Sequence, residues 1–571
     1  MLGPVPNPAT HLGEPVAEIS GVGVSPGRAV APLIHMPDPV AEPPDDAKLA
    51  PDADPNAESA RIATAAETVK ADLEARAALA TGDAAALLEA TSLMAADPTL
   101  VQAAQAKIAT GAAPERAVWE AADEVAGMLA GLGGYMAERA RDVADVRDRI
   151  VAVLTGHPAP GVPVRSKPFV LAARDLAPAD TATLEPATCV ALVTAEGGPT
   201  SHTAILARAL GLPAVVAAPG ILDIAEETVV LVDGAAGTVH TDPTADQIAK
   251  AKQVAEQVRT FDGQGRTSDG HHIALLANVG DAKGVTAAVD VAAEGVGLFR
   301  TEFCFLGNDT APTIDEQVTA YRVVLSAFPG KKVVVRTLDA GADKPLPFLN
   351  LHEEANPALG VRGVRTVRHA EQVLAEQLTA IATAADAEHA EVWVMAPMVA
   401  TADETADFVA RCHAAGLQTA GVMVEVPSAA LQASEILTSA AFASIGTNDL
   451  GQYTMAADRL LGELAALNDP WQPAVLRLVQ LTCEAGARLN KPVGVCGEAA
   501  ADPALACVLT GLGVSSLSMT PRAIPDVAAV LRATTLRDCQ HLADLAVSAR
   551  TAAEGRASVR AEVPILDELG L

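Results

Sequence analysis

Hydrophobic positions in the second half of the chain occur in short runs, and each run is followed by a longer segment whose apolar residues have helical spacing. Alternation of this kind is typical of βα units. Eight such units over about 300 residues predict a (β/α)8 TIM barrel, whose chemistry lies at the carboxyl ends of the strands. The eight predicted strands are Ile273–Val279, Gly295–Phe299, Val333–Leu338, Val392–Met398, Gly421–Val426, Phe442–Gly446, Val493–Cys496 and Ser516–Met519.

The hydrophobic pattern of the first half predicts a different architecture. Residues 21–34 have the pattern of a strand, a turn and a second strand. Residues 57–96 contain no proline and have helical spacing, Pro98 and Pro114 suit helix starts, and a further helical block covers residues 115–154. We therefore expect a bundle of roughly four helices, inserted into an α/β domain.

Strand-like runs return after the predicted bundle, which is why we interpret the bundle as an insertion. The returning runs are Phe169–Ala172, Cys189–Val193, Ala214–Val216 and Thr228–Gly234. The predicted fold class is α/β, with an N-terminal α/β domain, an inserted helical bundle and a C-terminal (β/α)8 TIM barrel. The expected divisions are an extension at 1–20, the α/β domain at 21–36 and 155–242, the helical insertion at 37–154, a helical linker at 243–262 and the barrel at 263–571.

The composition excludes several classes of protein. Half of the 571 residues are hydrophobic, so the chain can bury large cores and is not globally disordered. A net charge of −31 argues against nucleic acid as a partner. The seven cysteines include no CxxC pair, so we expect neither a disulfide framework nor a zinc site. Because no signal peptide and no long apolar run are present, we expect no membrane insertion and a cytoplasmic location.

A glycine-rich turn precedes a single histidine in the segment GGPTSHTAILAR at residues 197–208. Thr200 or Ser201 can cap the helix that the following apolar pattern predicts. His202 then lies in the first helical turn, where unpaired backbone N–H groups and the helix dipole favour an anion. His202 is therefore a candidate acceptor of a phosphoryl group. The alternative is a capping turn with an incidental histidine.

Arginines and carboxylates follow the predicted barrel strands. Arg300 and Arg336 end the second and third strands, and converging guanidinium groups there would clamp phosphate and carboxylate oxygens. Glu425 and Asp449, on the fifth and sixth strands, could hold Mg²⁺, which usually takes one or two protein carboxylates and completes its shell from the substrate. The alternatives are that the arginines form surface salt bridges and that Glu425 pairs with an arginine.

Cys496 ends the seventh predicted strand and has glycines nearby, so we expect it to be unusually exposed for a core cysteine. A thiol with a pKa of about 8.5 is mostly protonated in the cytoplasm and can donate a proton. The alternative is a packing role, which is our interpretation of Cys304, Cys483 and Cys507.

Eight segments carry longer motifs: SPGRA at 25–29, GGPTSHTAILAR at 197–208, EGVGLFRTEF at 294–303, RTLDAGADKPLP at 336–347, NPALGVRGVR at 356–365, GVMVEVPSAA at 421–430, IGTNDLGQYTMAADR at 445–459 and GVCGE at 494–498. Together they resemble enzyme I of the bacterial phosphotransferase system, the phosphoenolpyruvate (PEP)–protein phosphotransferases among the PEP-utilising enzymes. The resemblance extends over about residues 20–540.

The resemblance implies a role for each matching residue. His202 would be the phosphorylated histidine of a phosphohistidine α/β domain, and Cys496 would protonate the enolate as pyruvate leaves. Glu425 and Asp449 would hold Mg²⁺, and Arg362 would be a further barrel arginine. The helical insertion would dock the carrier protein HPr, and the barrel would form a homodimer. The residues implied in PEP binding are Arg300, Arg336, Asn448, Asp449 and Arg459.

The chain departs from the family pattern at two positions near the implied site. Pro199 stands where the family usually has a basic residue, and Gly451 stands where it has a polar one.

Two other classes of protein with a phosphohistidine domain are disfavoured. PEP synthases and pyruvate phosphate dikinases carry an ATP-binding domain, and the residues before 165 contain no Gly-rich nucleotide loop. The presence of Arg300, Glu425, Asp449 and Cys496 together argues against a non-catalytic phosphohistidine module, whose barrel would only bind a ligand.

Overall fold

Two β structures organise the chain, an open sheet of eight strands near the N-terminus and a closed barrel of eight strands in the second half. The computed structural model describes residues 18–571 except 38–39, 80–90, 133, 159, 164, 177–183, 185–186, 199–200, 256, 258, 306–307, 309, 342–345, 350–353 and 460–461. Most of the predicted N-terminal extension, Pro199 and Thr200 therefore lie outside the described residues. Among the helices that are described, none is long and apolar enough to cross a membrane.

The N-terminal sheet has a parallel centre and antiparallel edges. Its strands are β1 (Glu18–Ser20), β2 (Val22–Ser25), β3 (Arg28–His35), β4 (Phe169–Ala173), β5 (Cys189–Thr194), β6 (Ala214–Val216), β7 (Val229–Asp233) and β8 (Thr238–Thr241). Their order is β1-β8-β7-β3-β4-β5-β6-β2, and the contiguous set from β3 to β6 pairs in parallel. Every residue of β4 is buried, as expected for a strand covered on both faces. The helix His202–Leu210 packs on the β2, β5 and β6 side of this sheet.

The helical insertion follows β3. Its described helices are Pro55–Leu79, Pro98–Ala109, Pro114–Leu132 and Gly134–Thr155. Pro98 occupies the first helical position, and the Asp97 side chain before it accepts a hydrogen bond from Thr99 N at 2.7 Å. The block predicted over residues 115–154 is two helices that pack against each other. The insertion has its own core, which includes Ile62, Leu73, Ile108, Trp119 and Ile150.

The second half of the chain is a closed barrel of eight parallel strands. The strands are β9 (Ala274–Val279), β10 (Gly295–Arg300), β11 (Lys332–Arg336), β12 (Glu391–Ala396), β13 (Ala420–Val424), β14 (Ala443–Ile445), β15 (Val493–Val495) and β16 (Ser516–Met519). They pair in chain order, and β16 returns to β9. The predicted α/β fold class with an inserted bundle and a TIM barrel is thus confirmed.

Helices surround the barrel and bury its main core against the strands. The linker before the barrel contains the helix Ala245–Ala255. The helices from β9 onward are Ala282–Asp290, Ile314–Ser326, Glu371–Ala387, Ala402–Ala414, Pro427–Leu431, Ala433–Ser439, Thr447–Met455, Pro473–Leu489, Pro503–Gly511, Ile524–Ala533, Leu536–Ser548, Ala552–Glu562 and Ile565–Leu569.

Three barrel strands, β11, β12 and β13, end two residues before their predicted ends. Beyond the ends of β11 and β12, some backbone N–H groups donate to side chains. Leu338 N donates to Gln377 Oε1 at 2.9 Å, and Met398 N donates to Glu425 Oε1 at 2.6 Å. Met398 also has a positive φ of 58°, which a strand does not allow. The shortened strands therefore coincide with polar contacts at the mouth of the barrel.

Candidate active site

Two arginines lie side by side where β10 and β11 end. Arg300 and Arg336 are Cα partners in the parallel pairing, and each is the last residue of its strand. Arg336 has only 8% of its surface exposed, whereas Arg300 is exposed. The structure thus brings both arginines to the same edge of the barrel, one buried in the mouth and one toward solvent.

The guanidinium of Arg336 is held between carboxylates. Its Nη2 lies 2.8 Å from Glu302 Oε1, and its Nη1 lies 3.1 Å from Asp339 Oδ2. Burial by itself lowers the pKa of Arg336, but the charges of Glu302, Asp339 and Glu425 outweigh it and raise that pKa above its usual value. The Nε of Arg336 has no hydrogen-bond partner within the part of the chain that the structure describes. The side chain is therefore a fixed cation with one donor still to satisfy.

Arg362 is the most buried arginine of the site, at 1% exposure. It bonds both oxygens of Asp449, from Nη1 and Nη2 at 3.3 Å, and both oxygens of Asp339, from Nε and Nη2 at 3.3 Å. Asp339 also contacts Arg336, so one chain of ion pairs runs from β11 to the helix after β14. Arg362 thus fixes the two aspartates relative to each other.

Glu425 follows β13 and is almost fully buried. Burial, followed by the negative charges of Asp339 and Asp449, raises its pKa to about 8, although Arg336 and the Met398 N–H act in the opposite direction. Like charges thus crowd this carboxyl in the absence of a further cation.

The donor set fits a magnesium ion. Glu425 and Asp449 offer hard oxygen ligands. The two carboxylates repel each other, and a divalent cation bound between them would offset their negative charge. Among the residues that the structure covers, no group of three or more His, Cys, Asp or Glu side chains forms a metal site. Mg²⁺ is commonly held by one or two carboxylates with the remaining ligands from substrate and water, so two carboxylates suffice.

Cys496 is buried, and our expectation that it would be exposed is wrong. Only 3% of its surface is accessible, and it packs inside the barrel with Leu298, Met395 and Met423. The neighbouring glycine permits close packing rather than exposure, because a Cβ on Gly497 would lie 2.0 Å from Thr447 Oγ1. Burial is the main cause that raises the pKa of the Cys496 thiol to about 11. The thiol therefore keeps its proton at neutral pH and faces the interior of the barrel.

Asn448, Asp449 and Arg459 occupy one side of the mouth. The helix Thr447–Met455 begins directly after β14, which places the half-buried Asn448 and the buried Asp449 in its first turn. Arg459 Nη1 lies 3.7 Å from Asp449 Oδ2. The candidate residues of five strand ends are thus brought together at one opening.

His202 belongs to the other domain. It is the first residue of the helix His202–Leu210, and Ser201 is the N-cap whose Oγ accepts a hydrogen bond from Ala204 N at 3.3 Å. Gly197, before the cap, has a φ of +93°, which favours glycine. Gly211 ends the helix in the left-handed conformation. The predicted capped turn is present, with Ser201 as its cap.

The N-terminal domain contacts the barrel close to this mouth. A cavity of about 110 Å³ lies between them, lined by Val24 and Arg208 on one side and by Thr447, Asn448 and Trp471 on the other. Arg522 Nη2 also donates to the Gly211 carbonyl oxygen at 3.3 Å. The domain that carries His202 therefore lies against the start of the helix Thr447–Met455, which follows β14.

Sequence reasoning missed two carboxylates of the site, Glu302 and Asp339. Both lie in strand-end segments that were singled out for their arginines, in the sequences FRTE and RTLD. Asp339 could have been identified as a carboxylate three residues after an arginine at a strand end, because a buried guanidinium needs a partner. Glu302 follows the exposed Arg300 but pairs with Arg336 on the next strand, so its spacing along the chain gives no such signal.

Family models match the chain in three consecutive parts. Residues 20–139 match the N-terminal domain of PEP-utilising enzymes, residues 165–237 match their mobile domain, and residues 253–536 match their PEP-binding domain. The third match covers the strand ends described above.

Curated relatives are similar over most of the chain. A phosphoenolpyruvate-protein phosphotransferase of Streptomyces coelicolor is 52% identical over 95% of this chain and 98% of its own length. A multiphosphoryl transfer protein of Xanthomonas campestris is 43% identical over 77% of this chain and 54% of its own length. A phosphoenolpyruvate-protein phosphotransferase of Haloferax volcanii is 41% identical, over 80% of this chain and 83% of its own length.

Proposed function

The chain belongs to the family of PEP-utilising enzymes, as a PEP–protein phosphotransferase, and we propose that it transfers the phosphoryl group of PEP to its own His202. It acts in the phosphotransferase system, where the phosphorylated enzyme passes the group on. The observation that carries the assignment of the site is the pairing of Arg300 and Arg336 beside Glu425 and Asp449 at one barrel mouth.

Arginines bind and orient PEP in this proposal. Arg336, whose Nε bonds none of the residues that the structure describes, and Arg300, at the open side, contact the phosphate and carboxylate oxygens. Planar guanidinium groups suit these anions, and phosphoryl transfer depends mainly on positioning and on stabilising charge on the transferred oxygens. Asn448 and Arg459 complete the contacts on the side of β14. Arg362 holds Asp339 and Asp449 in place and is buried behind them.

Glu425 and Asp449 are the residues that would hold Mg²⁺, which supplies charge neutralisation on the phosphoryl oxygens when bound. For this role Glu425 must lose its proton, and its raised pKa makes that loss dependent on pH. Asp449 is oriented by Arg362 and Arg459.

Cys496 protonates the product. A nitrogen of the neutral His202 ring forms a bond to phosphorus, and the bond from phosphorus to the enol oxygen breaks. The enolate then takes a proton on carbon from the Cys496 thiol and becomes pyruvate, and the thiolate regains a proton from water. Burial keeps the thiol protonated until this step.

The partners follow from the same assignment. The helical insertion, which has a core of its own, docks HPr. The enzyme works in the cytoplasm as a homodimer through the barrel. His202 moves between the barrel mouth and the docked carrier.

Labelling with PEP tests the proposal. The protein is incubated with [³²P]PEP and Mg²⁺ without ATP, and acid-labile label and pyruvate are followed together. We expect one label per chain with equal pyruvate, transfer of label on addition of HPr, and no label on the His202→Ala variant. Label on His202→Ala would overturn the assignment of the acceptor. Label that requires ATP and phosphate would instead indicate a dikinase.

A further inference from the structure

A buried glutamine joins the two strand ends that carry the arginines of the site. Gln377 lies in the helix Glu371–Ala387 with 0% of its surface exposed. Its Oε1 accepts a hydrogen bond from Leu338 N at 2.9 Å, and its Nε2 donates to Thr301 Oγ1 at 3.0 Å. Thr301 directly follows Arg300, and Leu338 follows Arg336 by two positions. One amide thus bridges the ends of β10 and β11.

The direction of each hydrogen bond in this bridge is fixed. Because the backbone N–H of Leu338 can only donate, the amide oxygen of Gln377 must face it. Both Nε2 hydrogens are then available to Thr301 Oγ1 and to the Tyr321 hydroxyl, which lies at 3.2 Å. Thr301 Oγ1, as an acceptor from Gln377, donates its own hydrogen to the Arg336 carbonyl oxygen at 2.8 Å. Gln377 therefore orients the Thr301 hydroxyl toward the Arg336 carbonyl oxygen.

The hydrogen bonds that continue from Tyr321 lead away from the strand ends. Tyr321 donates to Gln317 Oε1 at 2.9 Å, and Gln317 Nε2 donates to the Pro312 carbonyl oxygen at 3.0 Å. Gln317 and Tyr321 are buried at 2% and 0% exposure, on the neighbouring helix Ile314–Ser326. The two glutamines are therefore alike in burial and in their contact with Tyr321, but only Gln377 touches the strand ends.

We propose that Gln377 is a positioning residue for PEP turnover, which sets the separation of Arg300 and Arg336 by holding Thr301 and Leu338. The inference rests on the proposed function, because it takes the two arginines as ligands of PEP. Gln377 lies behind the strand ends and acts on the substrate through the two arginines. A misplacement of a substrate-positioning group by about 1 Å can cost about 100-fold in rate.

The test compares Gln377→Met with the matched control Gln317→Met. Both substitutions remove one buried amide of similar size, so both are expected to lower the unfolding temperature. Single-turnover pyruvate formation is measured over a range of PEP concentrations at a temperature where calorimetry shows both variants folded. We expect Gln377→Met to raise the half-saturating PEP concentration and to lower the second-order rate constant by about 10- to 100-fold. Gln317→Met should stay within about twofold of the wild type.

A second pair of variants covers the case in which Gln377→Met does not fold. Thr301→Val removes the hydroxyl that links Gln377 to the Arg336 carbonyl, and Thr301→Ser keeps it. We expect the Val variant to show the same loss in PEP affinity and the Ser variant to resemble the wild type. Equal PEP kinetics within either pair would overturn the positioning role. A wild type that forms no pyruvate would refute the proposed function itself, before any variant is compared.

Discussion

Replacing Glu425 by glutamine is expected to stabilise the metal-free protein at alkaline pH while it removes Mg²⁺-dependent turnover. Burial and the charges of Asp339 and Asp449 raise the pKa of Glu425 from 4.5 to about 8. A carboxyl whose pKa is higher in the folded state contributes stability that is complete below its unfolded pKa and is lost as the pH rises through its folded pKa. The wild type therefore loses stability between about pH 4.5 and pH 8, whereas glutamine does not titrate.

The pKa difference gives the size of the effect. One pKa unit corresponds to about 1.36 kcal/mol, so the full difference sets an upper limit of about 5 kcal/mol. Relaxation of the surrounding arginines and entry of water reduce this to about 2–3 kcal/mol. A transition of a large domain shifts by roughly 2 °C per kcal/mol. We therefore expect Glu425→Gln to raise the unfolding temperature of the barrel by about 5 °C at pH 8.5 and by little at pH 5.

Calorimetry without divalent cations at pH 5, 7 and 8.5 measures this difference. The matched control is Glu484→Gln, which replaces an exposed glutamate on the helix Pro473–Leu489 and should leave the unfolding temperature unchanged. Added Mg²⁺ should then stabilise the wild type more than Glu425→Gln. If Glu425→Gln unfolds at or below the wild-type temperature at pH 8.5, like charges do not crowd Glu425 and the metal assignment loses its support.

Two further substitutions test other parts of the mechanism. Cys496→Ala should slow pyruvate formation from PEP by about 100-fold because the proton donor is lost. The control variant Cys483→Ala removes a similarly buried thiol and should leave this rate unchanged. Stopped-flow measurement of pyruvate compares the two variants, and equal rates would contradict a donor role for Cys496. Ser201→Ala removes the side chain that accepts a hydrogen bond from Ala204 N, and it should lower the free energy of unfolding of the N-terminal domain by about 1 kcal/mol. Denaturant unfolding of that domain should then have a lower midpoint. An unchanged midpoint would show that another group caps the helix.

The sequence predicted the barrel well because each of its strands is a short apolar run between helical segments. In β11, for example, Val333, Val334 and Val335 are all buried. The helical spacing over residues 115–154 did not predict that this block forms two helices, Pro114–Leu132 and Gly134–Thr155, although the sequence has glycines at 133 and 134. Strand ends were overestimated where the backbone turns to bond Gln377 and Glu425, since an apolar pattern does not report which partner an N–H group finds.

The candidate site was predictable only where a strand end fixes a side chain. Arg300 and Arg336 meet because parallel strands in register bring their last residues together. Arg362 lies outside the barrel strands, so no strand end positions it, and its partners Asp339 and Asp449 are 23 and 87 positions away. The exposure of Cys496 was misjudged for the same reason: burial depends on the residues that pack around it, which come from other strands.

The charges at the mouth of the barrel explain how an acidic chain can bind a polyanion. Four arginines, at 300, 336, 362 and 459, face four carboxylates, at 302, 339, 425 and 449, so the cluster is neutral when every group is ionised. Because the pKa of Glu425 is about 8, this carboxyl holds a proton at neutral pH and leaves the mouth positive. Replacement of that proton by a divalent cation would leave it more positive still. In either state the mouth attracts an anion with a phosphate and a carboxylate, although the chain as a whole has a net charge of −31. The carboxylates that pair with the arginines keep the guanidinium groups oriented until the anion binds.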